Sequence, residues 1–189
     1  MPGTDGGVLH LVAALGKDGN LYLLDRDNLG GPDAMMSQLS KTTVASGAAQ
    51  IYTGNLNGAA AVYATSKGTY IAFHANARTT TKVSGCSNPG NLGVAKITPG
   101  SPVTATVVWC SMETSLGSPM VTTTGGGNVI VWDANTHLFG YDGDTGATVF
   151  DGSSFTMASP MQYFNTPIGA NGRIVVATSG PGHLYVFKP

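Results

Sequence analysis

The chain has 189 residues, of which 42% are hydrophobic and 10% are charged, and its formal net charge is −1. This balance excludes a basic nucleic-acid binder and an intrinsically disordered segment, and no polybasic run is present for an anionic membrane surface. No apolar run approaches the roughly 18 residues of a transmembrane helix. The opening residues, "MPGTDGGVLHLVAALG", lack the basic start of a signal peptide.

Turn-forming residues dominate the polar part of the composition. Glycine occurs 27 times, and Glu113 is the single glutamate beside nine aspartates. Aspartate and glycine serve tight turns while glutamate favours helices, so the chain is predicted to be all-β with many short strands. No convincing helix is predicted; the best candidate, of one or two turns at most, is "DAMMSQLSK", from Asp33 to Lys41, with Asp33 as its possible N-cap.

The predicted strands form units that share one order. The first unit contains "LHLVAAL" and then "NLYLLDRDNLG" from Asn20. The second contains "GAAAVYA", "TYIAFHA", "NLGVAKITPG" from Asn91 and "TATVVWC". The third contains "GSPMVTT", "NVIVWDA", "HLFGYDGDTG" from His137 and "ATVFDG". The fourth contains "ASPMQYF" from Ala158, "RIVVATS" and "HLYVFKP" from His183.

The third strands of these units reveal the repeat. They begin at residues 91, 137 and 183, so that successive starts lie 46 residues apart, and the first, at residue 20, precedes an insertion of 25 residues. Four strands in a unit of this size are typical of a β-propeller blade, which buries its faces against neighbouring blades. The predicted blades are approximately 8–57, 58–116, 117–157 and 158–189.

The first unit lacks an opening strand, and the last ends before its fourth strand. These gaps are compatible with a self-closed ring of four blades and with part of a larger propeller. Open blade edges favour self-association or pairing with another chain.

The segment "DGDTG" in the third unit allows two interpretations. Asp142 and Asp144 could hold calcium, but the loop lacks the further oxygen ligands and the distal glutamate of an EF-hand. Aspartates that accept hydrogen bonds from turn amides, together with glycines, instead predict a corner between the third and fourth strands.

Two stretches, "GKDGNLYLLDRDNLGG" and "HLFGYDGDTGATVF", resemble repeats of the PQQ-like β-propeller family, also called quinoprotein alcohol dehydrogenase-like. The resemblance extends from about Val8 to Lys188. It implies a propeller of about seven or eight blades, so we expect this chain to be the C-terminal part of a larger propeller, with the self-closed ring of four blades as the alternative. The family includes quinone-dependent dehydrogenases, assembly lipoproteins and secreted proteins of other kinds.

The catalytic branch of that family holds its quinone under a tryptophan, beside a calcium ion bound by Glu, Asn and Asp. This chain has only Trp109, Trp132 and Glu113 for such roles. No catalytic residue and no PQQ or calcium ligand can be transferred by position, so neither cofactor is predicted.

Cys86 and Cys110 are the only cysteines. In the blade arrangement Cys86 precedes the third strand of the second unit and Cys110 ends the fourth. Because these strands are antiparallel neighbours, the arrangement favours a disulfide over two reduced thiols. A disulfide would indicate a periplasmic or extracellular location.

Four polar residues occupy the position before the repeated leucine, namely Asn20, Asn91, His137 and His183. They should lie near one rim, where they could bind a protein or small-molecule ligand, although turn-exit roles also explain them. His10 and His74 fall on second strands and are expected to be satisfied within blade packing.

The sequence thus predicts a non-catalytic, secreted binding or scaffolding module. The alternative is part of a quinone-dependent dehydrogenase or propeller hydrolase whose other site residues lie outside this chain.

Overall fold

The computed structural model describes most of the chain outside several loops. The described residues are 9–16, 18–29, 38–43, 45–46, 56–75, 82–83, 86, 91–111, 113, 117–124, 127–162 and 164–189. This part contains strands, turns and one short 3-10 helix, Arg26–Asn28, but no α-helix. No helix in it is long and apolar enough to cross a membrane.

The first two large sheets are antiparallel meanders. The first sheet runs in the order β1 (Leu11–Leu15), β2 (Asn20–Asp25) and β3 (Gln38–Thr43). The second sheet runs in the order β5 (Leu56–Thr65), β6 (Gly68–Ala75), β8 (Leu92–Thr98) and β9 (Thr104–Cys110). A ladder of two short strands, β4 (Ala45–Ser46) and β7 (Lys82–Val83), accompanies them.

The third and fourth sheets repeat the same plan. The third sheet runs β10 (Met120–Thr123), β11 (Val129–Ala134), β12 (Leu138–Asp142) and β13 (Thr148–Asp151). The fourth sheet has three described strands, β14 (Ile168–Ala170), β15 (Arg173–Ala177) and β16 (Leu184–Phe187). The predicted all-β class is confirmed. Among the described residues, the first sheet begins at the predicted second strand and the fourth ends at the predicted third strand, while 1–8 lie outside the described residues.

Two local predictions were wrong. Gln38 to Lys41, the end of the proposed helix, lies in β3, while 33–37 fall outside the described residues. Pairing of β3 with β2 overrides the weak helical pattern of this segment. The segment "ASPMQYF" does not form the opening strand of the fourth sheet. Met161 makes only an isolated bridge to Thr178, and β14 is the opening strand.

The turn chemistry accounts for the position of β14. Asn171 and Gly172 both have positive φ, 49° and 69°, and they join β14 to β15 as a two-residue hairpin. This is the conformation that matches the twist of a tight hairpin, and Asn-Gly is its preferred sequence. The opening strand is therefore placed directly ahead of this turn.

Three apolar clusters hold successive sheets together. The first joins Leu21 and Leu23 of β2 to Ile71 and Phe73 of β6. The second joins Leu92 and Val94 to the third sheet, and the third cluster joins Leu138 and Trp132 to Ile174 and Val176 of the fourth. Because side chains alternate along each strand, every internal sheet contributes one face to the cluster before it and the other to the cluster after it.

Candidate functional site

The four predicted rim residues occupy equivalent places. Asn20 opens β2, and Asn91, His137 and His183 each stand directly before β8, β12 and β16. We call this end of the sheets the entry edge. We call the opposite end, where the β12–β13 turn and the β14–β15 hairpin lie, the hairpin edge.

Their side chains differ in exposure and partners. Asn91 is buried and donates from Nδ2 to the Ala75 carbonyl over 2.9 Å. Asn20 is buried and donates to the Asp18 carboxylate, while His137 lies 3.0 Å from the Thr156 hydroxyl. His183 is exposed and lies beside the Tyr185 ring. Asn20 and Asn91 thus fix local backbone, and a shared ligand site at the entry edge stays a prediction.

A buried ion pair spans the second and third sheets close to this edge. Nε2 of His74, on β6, lies 2.9 Å from Oδ1 of Asp133, on β11, and their side chains are 2% and 0% exposed. Nδ1 of His74 contacts the Gly117 carbonyl oxygen. The approach of Nε2 to Oδ1 has ion-pair distance but not hydrogen-bond geometry. His74 lies between neighbouring sheets but, contrary to the expectation, its Nε2 is not satisfied by a hydrogen bond. His10 precedes β1 rather than lying on a strand and pairs with exposed Asp27 over 2.7 Å.

The "DGDTG" segment forms a turn at the hairpin edge. Oδ1 of Asp142 accepts hydrogen bonds from the amides of Asp144 and Thr145 and from the Thr145 hydroxyl, and Gly146 has a φ of 73°. The carboxylate therefore organises the corner between β12 and β13, as the turn interpretation predicts.

The same turn docks on the second sheet. Its Gly143 carbonyl accepts from the Tyr63 hydroxyl over 2.6 Å and from the Trp109 indole over 3.0 Å. Burial raises the pKa of Tyr63, which keeps its phenol protonated as a donor. The corner is thus also a contact between neighbouring sheets, a role that the sequence did not reveal.

Asp144 is held by groups of the second sheet. The Thr65 hydroxyl donates to it over 2.7 Å, and the Lys67 ammonium lies 3.4 Å away. Burial would raise the pKa of Asp144, but hydrogen bonds from Thr65 and Tyr70, with the charge of Lys67, lower it overall. The Lys67 ammonium group lies beside the Asp144 carboxylate, and backbone amides occupy the Asp142 carboxylate. This corner therefore does not offer the set of oxygen ligands that calcium requires.

The residues of a quinone site do not converge either. Trp109 donates to Gly143 of the neighbouring sheet, and Trp132 donates to the Thr122 hydroxyl within the third sheet over 2.8 Å, so both indole N–H groups are already engaged. Glu113 is exposed at the end of the second sheet. The described residues therefore do not fit the quinone and calcium arrangement of the catalytic branch.

The predicted cysteine pair is confirmed. Cys86 and Cys110 are disulfide-bonded with their Cα atoms 6.3 Å apart. Both sulfur-bearing residues pack against the first core cluster. The bond ties the segment between β6 and β8 to the end of β9, and such a pair is consistent with an oxidising, non-cytoplasmic environment.

A cavity with a volume of about 470 Å³ lies at the hairpin edge between the third and fourth sheets. Its apolar wall includes Trp132 and Phe150, whose ring centroids are 5.7 Å apart, and Ile174. Thr123, Asn171 and Arg173 add polar groups. Sequence reasoning assigned the aromatic residues to the core and did not identify this cavity, because the gap depends on how two sheets separate and no local pattern encodes it.

Two smaller cavities share that half of the molecule. One of about 300 Å³ lies between the first and second sheets and includes Arg26, Val62 and Ile97. Another of about 200 Å³ lies beside Thr65, Asn128 and Asp144. None of the three cavities includes Asn20, Asn91, His137 or His183, so these cavities and the predicted rim residues lie at opposite edges.

No protein-family model matches the chain, and no curated protein matches it.

Proposed function

We propose that this chain is a non-catalytic segment of a PQQ-like β-propeller, in which each large sheet is a blade, and that it acts outside the cytoplasm as a ligand-binding module. Its sheets support the blade assignment, since two are four-stranded antiparallel meanders joined face to face by apolar clusters. The disulfide supports the location.

The cavity between the third and fourth sheets is the proposed ligand site. Its volume lies within the range of small-molecule pockets, which are typically about 300–1,000 Å³ and mostly apolar with a few polar groups. Trp132 and Phe150 offer aromatic surface, and Arg173 adds a cation that suits a carboxylate or sulfonate. The proposed ligand class is therefore a flat aromatic molecule with an anionic group. This cavity, rather than any catalytic constellation, carries the proposal.

Titration with naphthalene-2-sulfonate tests it, with NMR chemical shifts as the readout. Saturable binding should shift the signals of Trp132 and Ile174 and leave those of Trp109 in place. Arg173→Gln should weaken binding by about tenfold, because it removes one charge-assisted contact. Arg26→Gln is the matched control, since Arg26 is also exposed and lies at the cavity between the first and second sheets. Binding that is lost equally in both variants, or no saturable binding, would refute the proposal.

A further inference from the structure

The leucine repeated in all four units has two very different environments. Leu21, Leu92 and Leu138 are each 0% exposed, and Leu184 is 73% exposed. The residue two positions later follows the same pattern, with Leu23 at 1% and Val94 at 0%, Gly140 buried in the third sheet, and Val186 at 60%. Three sheets bury this pair of positions completely, while the fourth presents it to solvent.

The burial of the first three leucines has one cause. Leu21 packs against the second sheet, Leu92 against the third and Leu138 against the fourth. In each case the side chain points to the sheet that follows in the chain. The repeated leucine is therefore a contact residue for a following sheet.

The fourth sheet has the equivalent face, and no described residue packs against it. Tyr185 and Phe187 pack toward the third sheet, so Leu184 and Val186, which alternate with them, lie on the opposite face. Val175 pairs with both Val186 and Ile168, and Ile168 is 63% exposed. We call Ile168, Val175, Leu184 and Val186 the outer face.

We propose that the outer face binds the first sheet of a second copy of this chain. At each of the three internal interfaces, the face that carries the repeated leucine packs against the opposite face of the next sheet. The outer face is the equivalent leucine-bearing face of the fourth sheet. A second copy provides the complementary face on β1 and β2. There Val12 and Ala14 correspond to Ile71 and Phe73, which receive Leu21 and Leu23 within the chain.

Part of that complementary face is accessible, whereas Leu24, which pairs with Val12 on the same face, is 6% exposed. Ala14 is exposed, and Val12 and Tyr22 are half-buried. Ala14 pairs with Tyr22 across β1 and β2, and both lie on the face opposite Leu21 and Leu23. The contact is heterologous, since two different surfaces meet, and it therefore builds a ring or an open chain of copies rather than an isologous dimer.

Sedimentation velocity over a range of protein concentrations tests the association. The wild-type chain should show a concentration-dependent oligomer, and Val186→Lys should raise its dissociation constant by at least about tenfold. Val108→Lys is the matched control, because Val108 is also an exposed strand valine, at 45% exposure, but lies on β9 of the second sheet. A wild type that stays monomeric, or equal effects of both substitutions, would overturn the proposal.

Cysteine crosslinking tests the orientation. Leu184→Cys and Ala14→Cys, purified separately, should form an intermolecular disulfide mainly when they are mixed. Crosslinking of Leu184→Cys with itself to the same extent would instead indicate outer face against outer face, and would reject this arrangement. The ligand cavity lies on the other side of the fourth sheet, so naphthalene-2-sulfonate binding by Val186→Lys separates failure of this proposal from failure of the ligand site.

Discussion

Nε2 of His74 lies 2.9 Å from Oδ1 of Asp133 across the second and third sheets, and both side chains are buried. Strand pairing places Leu15 and Ala134 at the positions equivalent to His74. Phe73 and Val176 correspond to Asp133 in the same way. An ion pair therefore occupies a place that the neighbouring interfaces fill with apolar side chains. Both ring nitrogens of His74 face oxygen atoms, Nε2 that of Asp133 and Nδ1 that of Gly117.

Removing one member of this pair should be much worse than removing both. His74→Leu or Asp133→Val alone leaves a buried polar group without its partner and should lower the free energy of unfolding by about 3–5 kcal/mol. The double variant restores an apolar contact of the kind found in the other interfaces, so it should lose less than either single variant, and the coupling in the cycle should exceed about 3 kcal/mol. Urea unfolding of the four proteins measures it, and strictly additive losses would contradict the expectation.

Asp144 should make the fold sensitive to acid. Its pKa in the folded chain is lowered overall, so its stabilising contribution is present above its unfolded pKa of about 3.9 and is lost as the pH falls through the folded value. Asp144→Asn should therefore lose less stability than the wild type between pH 6 and pH 3, when urea unfolding is compared at both. Thr65→Val, which removes the donor to this carboxylate, should also flatten the pH dependence. An unchanged slope in both variants would contradict this assignment.

The disulfide should contribute measurably to stability. Cys86 and Cys110 are separated by 24 residues, and closing a loop of that length stabilises the folded state by about 3 kcal/mol in the chain-entropy description. The double variant Cys86→Ser/Cys110→Ser should show a loss of that size in urea. Added reductant should destabilise the wild type and leave the double variant unchanged. Two free thiols in the untreated native protein would show that the bond is absent.

Gly146 tests the docking of the "DGDTG" turn. A Cβ at this position would lie 2.7 Å from Cδ2 of Trp109, and φ is 73°. Gly127 also has a positive φ, 80°, but a Cβ there meets nothing within 4 Å. Gly127→Ala should cost only the backbone term of about 1–2 kcal/mol. Gly146→Ala should lower the free energy of unfolding by about 1–3 kcal/mol more than Gly127→Ala, because the added methyl meets Trp109. It should also shift the tryptophan fluorescence. Equal losses would show that Trp109 does not constrain the turn.

Much of the strand pattern could be predicted because it depends on local signals. The alternation in "NVIVWDA" and the spacing of the Asn/His-Leu segments placed β11, β8, β12 and β16 correctly. The cysteine pair followed from antiparallel neighbours, which is a consequence of connectivity. The opening strand of the fourth sheet was misplaced because "ASPMQYF" resembles the small-residue openings of the other units. The Asn171-Gly172 turn, which determines where the hairpin lies, is the local signal for the correct position.

The site depended on information that the pattern does not contain. His74 and Asp133 come from different units and do not occupy equivalent positions in them, so no repeat alignment pairs them. Likewise, Gly143 offers its carbonyl to Tyr63 and Trp109 only because the corner lies against the neighbouring sheet. Such contacts depend on the separation and twist of two sheets, which are tertiary properties.

The arrangement of the three apolar clusters has a consequence for local opening. The second and third sheets are covered on both faces, whereas the fourth is held by described residues on one face only. Backbone amides of β15 and β16 should therefore exchange with deuterium faster than those of β6 and β11, because local unfolding should begin in the fourth sheet before it reaches the second and third. Leu184 sits where that fraying starts, and whatever covers it would protect the terminal strands from solvent.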